Sequence, residues 1–306
     1  MSKSVDAPSA GRVASLYAEY LRTLKAIETE EAVDLVVYRP LGFVIAKLLQ
    51  RSSLTPNHVS VASLCFGIAA GVLFWQGSAG AFAAAAAAYF ACNALDCADG
   101  QLARLRGGST PFGYVVDGAI DYAASVTVFV GIAHGLGTRV PGSFDPWILS
   151  GAAGLCYAWQ CALLDAERFV WTSRVHGRRM DHDGMLRYFR EYAATAAHDG
   201  NKRVERALIS GYLVYHSVWS RILPPRPELP AMSTAHTATW AGAHRPVLRM
   251  ATWMGPSTQM TLIMVAALAG HPEVFLWVTL SVGNALAVIT LVAKRRADGL
   301  AARGAA

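Results

Sequence analysis

Apolar residues run almost unbroken through six stretches of the chain, at about 58–76, 79–104, 112–135, 146–169, 250–270 and 273–293. Each is close to the roughly twenty apolar residues that a helix needs to cross a bilayer. The pattern predicts an all-α integral membrane protein with six transmembrane helices. Punctuation supports the boundaries. Thr55-Pro56-Asn57 breaks the chain ahead of the first stretch, Gly77-Ser78-Ala79-Gly80 turns it after that stretch, and Gly270-His271-Pro272-Glu273 separates the last two. The second stretch holds six consecutive alanines, Ala83 to Ala88, small residues of the kind that let helices approach closely in lipid.

Two segments before the first span have a helical period with one apolar face. Residues 12–28 place Leu16, Tyr20, Leu24 and Ile27 on one side. A second piece runs from about Leu41 to Gln50, after Arg39-Pro40, with Lys47 and Arg51 beside its aliphatic face. Both suit amphipathic helices lying at the membrane interface. Residues 170–249 form a long polar interruption. It includes the basic run Arg174 to Arg179, His198-Asp199-Gly200 and the breaker Pro224-Pro225-Arg226-Pro227. Within it Ala207 to Leu223 is fairly apolar but carries His216 and Arg221, so it reads as an interfacial helix. Four regions follow: 1–57 amphipathic, 58–169 with four spans, 170–249 a cytoplasmic helical insertion, and 250–306 with two spans and a basic tail. No internal repeat is visible.

Composition agrees. Of 306 residues 54% are hydrophobic and only 16% charged, against about 25% charged in soluble domains. Positive charge sets the orientation. One set of span ends carries Arg51, Arg104, Arg106, Arg168, Arg174, Arg178, Arg179, Lys294, Arg295 and Arg296, and the other carries Arg139 alone. The basic side is the cytoplasmic one, which places both termini in the cytoplasm and the protein in the inner or plasma membrane. Residues 1–12 are polar with no apolar stretch behind them, so no signal peptide is expected. The net charge of +6 then belongs to loops facing anionic head groups. With no aromatic-basic module present, it does not indicate nucleic acid. The five cysteines lie inside apolar runs without zinc spacing and read as packing residues.

The candidate chemistry sits at one end of the second and third spans. Asp96, Asp99, Asp117 and Asp121 occupy a membrane border, where each aspartate costs about 2.5–3.5 kcal/mol at a helix centre. Spacings of three and four put Asp96, Asp99 and Ala103 on one helix face and Asp117 and Asp121 on the next. A short connection makes the two helices antiparallel neighbours, so the four acids converge on one cytoplasm-facing pocket. Salt bridges to Arg104 and Arg106 are the plain alternative, but two arginines cannot neutralise four acids. Divalent metal fits better. Magnesium prefers oxygen ligands and leaves room for substrate phosphates, and paired ions can clamp a diphosphate. Gly100 permits close approach of a phosphate, and Arg104 offers a two-pronged contact to it. Asn57 at the mouth suits either a nucleotide contact or the cap of the first span.

These residues form the pattern D-x2-D-G-x2-A-R-x8-G-x3-D-x3-D, which resembles the signature of the CDP-alcohol phosphatidyltransferase family at every fixed position. The resemblance implies a membrane enzyme in which the hydroxyl of an acceptor attacks a CDP-activated alcohol, CDP-diacylglycerol being the expected donor, with release of CMP. It implies one or two divalent ions, Mg2+ or Mn2+ and expected as two, on Asp96, Asp99 and Asp117, with Asp121 sharing the metal or acting as general base. Gly100, Ala103, Arg104 and Gly113 would shape the cytidine diphosphate pocket. A homodimer in the lipid bilayer is expected. Members that use inositol phosphate carry a Lys-Ala-Arg type stretch at the end of the fourth span, where this chain has Leu164-Asp165-Ala166-Glu167-Arg168. Arg168, Arg174, Arg178 and Arg249 remain candidates for a phosphorylated acceptor.

Other readings are a CDP-choline or CDP-ethanolamine type donor with a lipid alcohol acceptor, a membrane prenyltransferase, and a cation-binding transporter. The prenyltransferase would not need Gly100, Ala103 and Arg104, and the transporter should show broken helices near the bilayer midplane.

Overall fold

A computed structural model describes residues 9–108, 111–138, 145–177, 182–195, 203–222 and 234–303, and every regular element among them is helical. Helix α1 (Ser9–Thr23) leads through a 3₁₀ turn (Ile27–Thr29) and a π-helical turn (Asp34–Tyr38) into α2 (Arg39–Leu49). The single helix expected over 12–28 therefore stops at Thr23. Its carbonyl end is satisfied from outside: Arg104 Nε donates to the Thr23 carbonyl at 2.5 Å, and Gln101 Nε2 donates to the Thr23 hydroxyl at 3.1 Å. A cation at a helix C-terminus also suits the helix dipole. The expected apolar face is only partly inward, since Tyr20 packs edge-on against Phe43 while Leu16 and Ile27 stay exposed.

The long helices start where short polar side chains cap them. Helix α3 (Pro56–Trp75) is capped by Thr55 in a reciprocal box with His58, and α4 (Ala79–Leu105) by Ser78, whose hydroxyl accepts from the Ala81 amide at 3.2 Å. Helix α5 (Pro111–Gly137) follows, and Asp145 caps α6 (Pro146–Val175) through the Trp147 amide at 2.8 Å. Thr55 rather than Asn57 is thus the cap of the first span. Asn57 is exposed within the first turn of α3.

The insertion holds α7 (His182–Thr195) and α8 (Arg203–Ile222), followed by α9 (Thr234–Thr252) and α10 (Pro256–Leu268). Arg178, Arg179, His198-Asp199-Gly200, Pro224-Pro225-Arg226-Pro227 and Arg139 lie outside the described residues. Last come α11 (Pro272–Val278), a π-helical turn (Thr279–Gly283) and α12 (Asn284–Arg303).

Five of these helices are long and apolar enough to cross a membrane: Pro56–Trp75, Ala79–Leu105, Val115–Gly137, Pro146–Val175 and Pro272–Ala301. The stretch at 250–270, expected as one span, is broken. Helix α9 ends at Thr252, and α10 restarts at Pro256 with only 13 residues, about 20 Å of helix against a hydrocarbon thickness of about 30 Å. Proline explains the break, because it lacks the amide that would continue the α9 ladder. The Glu31 carboxylate also fills the space that a side chain at Gly255 would need.

Helices α3, α4 and α5 form the centre. Phe74, Phe82, Tyr89, Val128, Ile132 and Leu136 are buried there, joined by Ile263 of α10 and Phe275 of α11. Helices α3 and α5 meet through glycine. A Cβ on Gly71 would lie 2.5 Å from the Thr127 carbonyl oxygen, and one on Gly131 would run into the Gly71 carbonyl. Of the alanine run, Ala85 and Ala86 are buried and Ala83, Ala84 and Ala87 face outward. The π-helical turn before α12 wraps a side chain from α6: Gln160 Nε2 donates to the Thr279 carbonyl at 3.1 Å and to Asn284 Oδ1 at 2.9 Å. Outward faces stay apolar, with Ile68, Val72, Val126, Leu155, Val282 and Val288 exposed, as lipid contact requires.

Candidate active site

The aspartates of α4 and α5 come together as their spacing predicts. Carboxylate oxygens of Asp96, Asp99 and Asp117 all lie within 4.8 Å of one another. Asp121 is not in that group. It stands one turn further along α5, where its carboxyl interacts with that of Asp96. Asp99 is buried and accepts a hydrogen bond from the Ser60 hydroxyl of α3. Nothing in the local sequence pattern singles out Ser60, which is 39 residues away.

The arginines next to the motif do not neutralise it. Among the described residues no Lys, Arg or His makes an ion pair with any of the four aspartates. Arg106 donates instead to the carbonyls of Leu49, Gln50, Ser52 and Leu54 at 2.6–3.3 Å, tying α4 to the end of α2. Arg104 caps α1, yet its Nη2 is buried with no hydrogen-bond partner. The same guanidinium folds back over Gly100, where a Cβ would meet Nη1 at 3.4 Å and Nη2 at 3.5 Å. The set is thus three converging carboxylates with no ion-pair partner among the described residues and, near them, a guanidinium nitrogen without an acceptor. The donor set fits a hard divalent cation, which takes carboxylate oxygens. The orphaned Nη2 fits an anionic oxygen.

The cluster opens on a cavity of about 560 Å³. Asp96, Asp117, Gly118, Asp121 and Tyr122 line one side. The rest of the lining comes from residues far away in sequence: Lys25, Glu30, Glu31, Asp34 and Arg39 ahead of the spans, Asp165 and Arg168 of α6, and Leu208, Gly211 and Tyr212 of α8. Asn57, Asp99, Gly100, Ala103, Arg104 and Gly113 are not among the lining residues. Ala103 is buried in helix packing, and Gly113 is half-buried near the start of α5. Helix α8 reaches the cavity because the α7–α8 pair packs on the start of α5 through Phe189, Ile209 and Val115.

Of the acceptor candidates, Arg168 is engaged, donating to the Thr29 carbonyl at 2.8 Å and pairing with Glu31 at 3.4 Å and Asp165 at 3.6 Å. Arg174 lies over the Trp240 ring, 4.8 Å from its centroid. Arg249 is exposed on α9, away from the cavity lining. Glu167, beside Arg168, pairs with Lys294 of α12. The residues that sequence reasoning missed are those of 23–39. Glu31 accepts from the Thr258 amide at 2.7 Å and hydroxyl at 2.8 Å, holding the start of α10.

Comparison with known proteins agrees with this geometry. Residues 53–184, from the approach to α3 to the start of α7, match the model of the CDP-alcohol phosphatidyltransferase family. A "Bifunctional IPC transferase and DIPP synthase" of Rubrobacter xylanophilus is 33% identical over 114 residues, which is 36% of this chain and 25% of that relative. The match therefore spans about a quarter of the relative's length. Residues 53–184 are thus similar to a CDP-alcohol phosphatidyltransferase domain.

Proposed function

We propose that the protein transfers a phosphatidyl group from CDP-diacylglycerol to the hydroxyl of an acceptor, releasing CMP at the cytoplasmic face of the membrane. The observation that carries this reading is the convergence of three carboxylates, without an ion-pair partner among the described residues, near the unpartnered Nη2 of Arg104. Asp96, Asp99 and Asp117 would hold Mg2+ or Mn2+, with Asp121 close enough to help hold a second ion. A divalent cation bound there supplies charge neutralisation to the diphosphate in the transition state. Arg104 donates from Nη2 to a diphosphate oxygen, and Gly100 leaves room for that guanidinium. Ala103 and Gly113 would shape the wall around the cytidine, with Asn57 at its outer edge. Asp121, outside the converging triad, takes the proton of the acceptor hydroxyl. The acceptor oxygen forms a bond to the phosphatidyl phosphorus, the phosphorus–oxygen bond to the CMP moiety breaks, and CMP leaves.

The test is direct. Purified protein with Mg2+, radiolabelled CDP-diacylglycerol and a panel of alcohols is expected to release CMP, and CDP-choline with diacylglycerol serves as the comparison donor. Absence of CMP with every donor and acceptor overturns the reading.

A further inference from the structure

The cavity lining contributed from outside α4 and α5 is left to the acceptor if the transferase reading above holds, and its ionisable groups say what kind of acceptor it takes. Its two guanidinium groups are already occupied. Arg39 meets Glu30 Oε2 through Nη2 at 3.0 Å and Nε at 3.2 Å, and Arg168 is held by Glu31, Asp165 and the Thr29 carbonyl. Lys25 acts electrostatically on Glu30, Asp96 and Asp117, toward the diphosphate end. Four carboxyl groups (Glu30, Glu31, Asp34, Asp165) against three cations (Lys25, Arg39, Arg168) leave this wall one acidic group more than it has cations.

Geometry identifies the excess carboxylate. Asp34 is 3% exposed, lines the cavity, makes no ion pair within 4 Å, and its Oδ1 has no hydrogen-bond partner. The neighbouring groups agree. Burial pushes Glu30 up, but Arg39, Lys25 and Arg168 together offset this and hold it below the usual carboxylate range. Burial raises Glu31 to about 7 and also raises Asp34; Arg168 and Thr258 only partly offset this for Glu31, and Arg39 and a hydrogen bond from Ser257 only partly for Asp34. Tyr122 and Tyr212 line the same space, and tyrosine faces attract organic cations.

We propose that the acceptor is an amino alcohol, a small hydroxyl compound bearing a protonated amine and no phosphate, whose ammonium sits against Asp34 and whose hydroxyl faces Asp121. A phosphorylated acceptor would bring negative charge to a wall that already has more acidic groups than cations and has no guanidinium to spare. The transfer is the one written above, with the amine unchanged.

Matched acceptors test this with the full chain in detergent: glucosamine, glucose and glucose 6-phosphate, and ethanolamine with ethylene glycol. CMP release from CDP-diacylglycerol is followed with each. An amino alcohol is expected to react at least tenfold faster than its neutral or phosphorylated counterpart. Asp34→Asn is expected to raise its KM at least tenfold while the KM for the donor stays unchanged. Should Asp34→Asn fail to fold, Tyr212→Leu on α8 is expected to raise the same KM severalfold. A neutral or phosphorylated acceptor that reacts best, or a KM indifferent to the folded variant used, overturns the inference and leaves the transferase reading standing. CMP binding with Mg2+ but no release with any amino alcohol also overturns the inference alone. Neither CMP binding nor release overturns both readings.

Discussion

At the scale of single residues, the site is a set of groups each lacking a partner that the reaction would supply. Asp117 is one of three carboxylates that converge without a cation. Asp117→Asn keeps the shape but removes a charge and a ligand. If that forfeits about 3–4 kcal/mol of transition-state stabilisation, CMP release falls about 100- to 1000-fold, measured at saturating Mg2+. Arg104 has two tasks. Through Nε it holds the end of α1, and its Nη2 is unpartnered and, on the proposed reading, would meet the diphosphate. Loss of a charge-assisted hydrogen bond costs about 1.5–3 kcal/mol, so Arg104→Ala is expected to raise the KM for the CDP donor about 10- to 100-fold. Arg104→Lys should not restore it, because an ammonium cannot serve Thr23 and the diphosphate at once. The acidic motif was legible in the sequence because helical spacing alone puts its members on facing sides of two adjacent helices. Ser60, Thr23 and Glu31 were not. Their partners lie 39, 81 and 227 residues away, and no local period reports such a distance.

At the scale of elements, hydropathy located all five apolar spans and misjudged a sixth stretch at 250–270. That stretch is apolar enough, but Gly255-Pro256 divides it, and the group that fixes the division is Glu31 from the other end of the chain. Glu31 also gives this junction a pH dependence. Burial raises its pKa from 4.5 to about 7, so between these values the folded chain keeps a proton that the unfolded chain has lost. The contribution is therefore fully present below about pH 4.5 and is lost as pH rises through about 7. The thermal midpoint of Glu31→Gln, whose amide does not titrate, should fall less across that window than the midpoint of the native chain. An equal fall in both would remove Glu31 as its source. The close crossing of α3 and α5 gives a second expectation. Gly71→Ala sets a Cβ 2.5 Å from the Thr127 carbonyl, and overpacking of this kind costs about 1–3 kcal/mol. Gly80→Ala, with nothing within 4 Å, is the control. A drop in midpoint for Gly71→Ala but not for Gly80→Ala is expected in detergent.

At the scale of the whole molecule, one cavity joins parts that the sequence presents as separate regions. Segment 25–39 and helices α4, α5, α6, α8 and α10 all contribute to its wall, so the amphipathic entry and the polar insertion belong to the site rather than to its surroundings. Binding at that cavity should then stabilise the assembly as a unit. The apo chain holds Asp96, Asp99, Asp117 and Asp121 together with no ion-paired cation among the described residues, and like charges at that separation repel. A divalent cation that binds only the folded chain adds about 2.7 kcal/mol at a hundredfold excess over its Kd. Chelation by EDTA is accordingly expected to stop CMP release and lower the thermal midpoint together, and added Mg2+ to restore both. Asp117→Asn separates this from a general salt effect. Its midpoint should start higher without metal, since one repelling charge is gone, and should gain less from Mg2+. A variant that gains as much from Mg2+ as the native chain would mean that the cation acts elsewhere than at the carboxylates of α4 and α5.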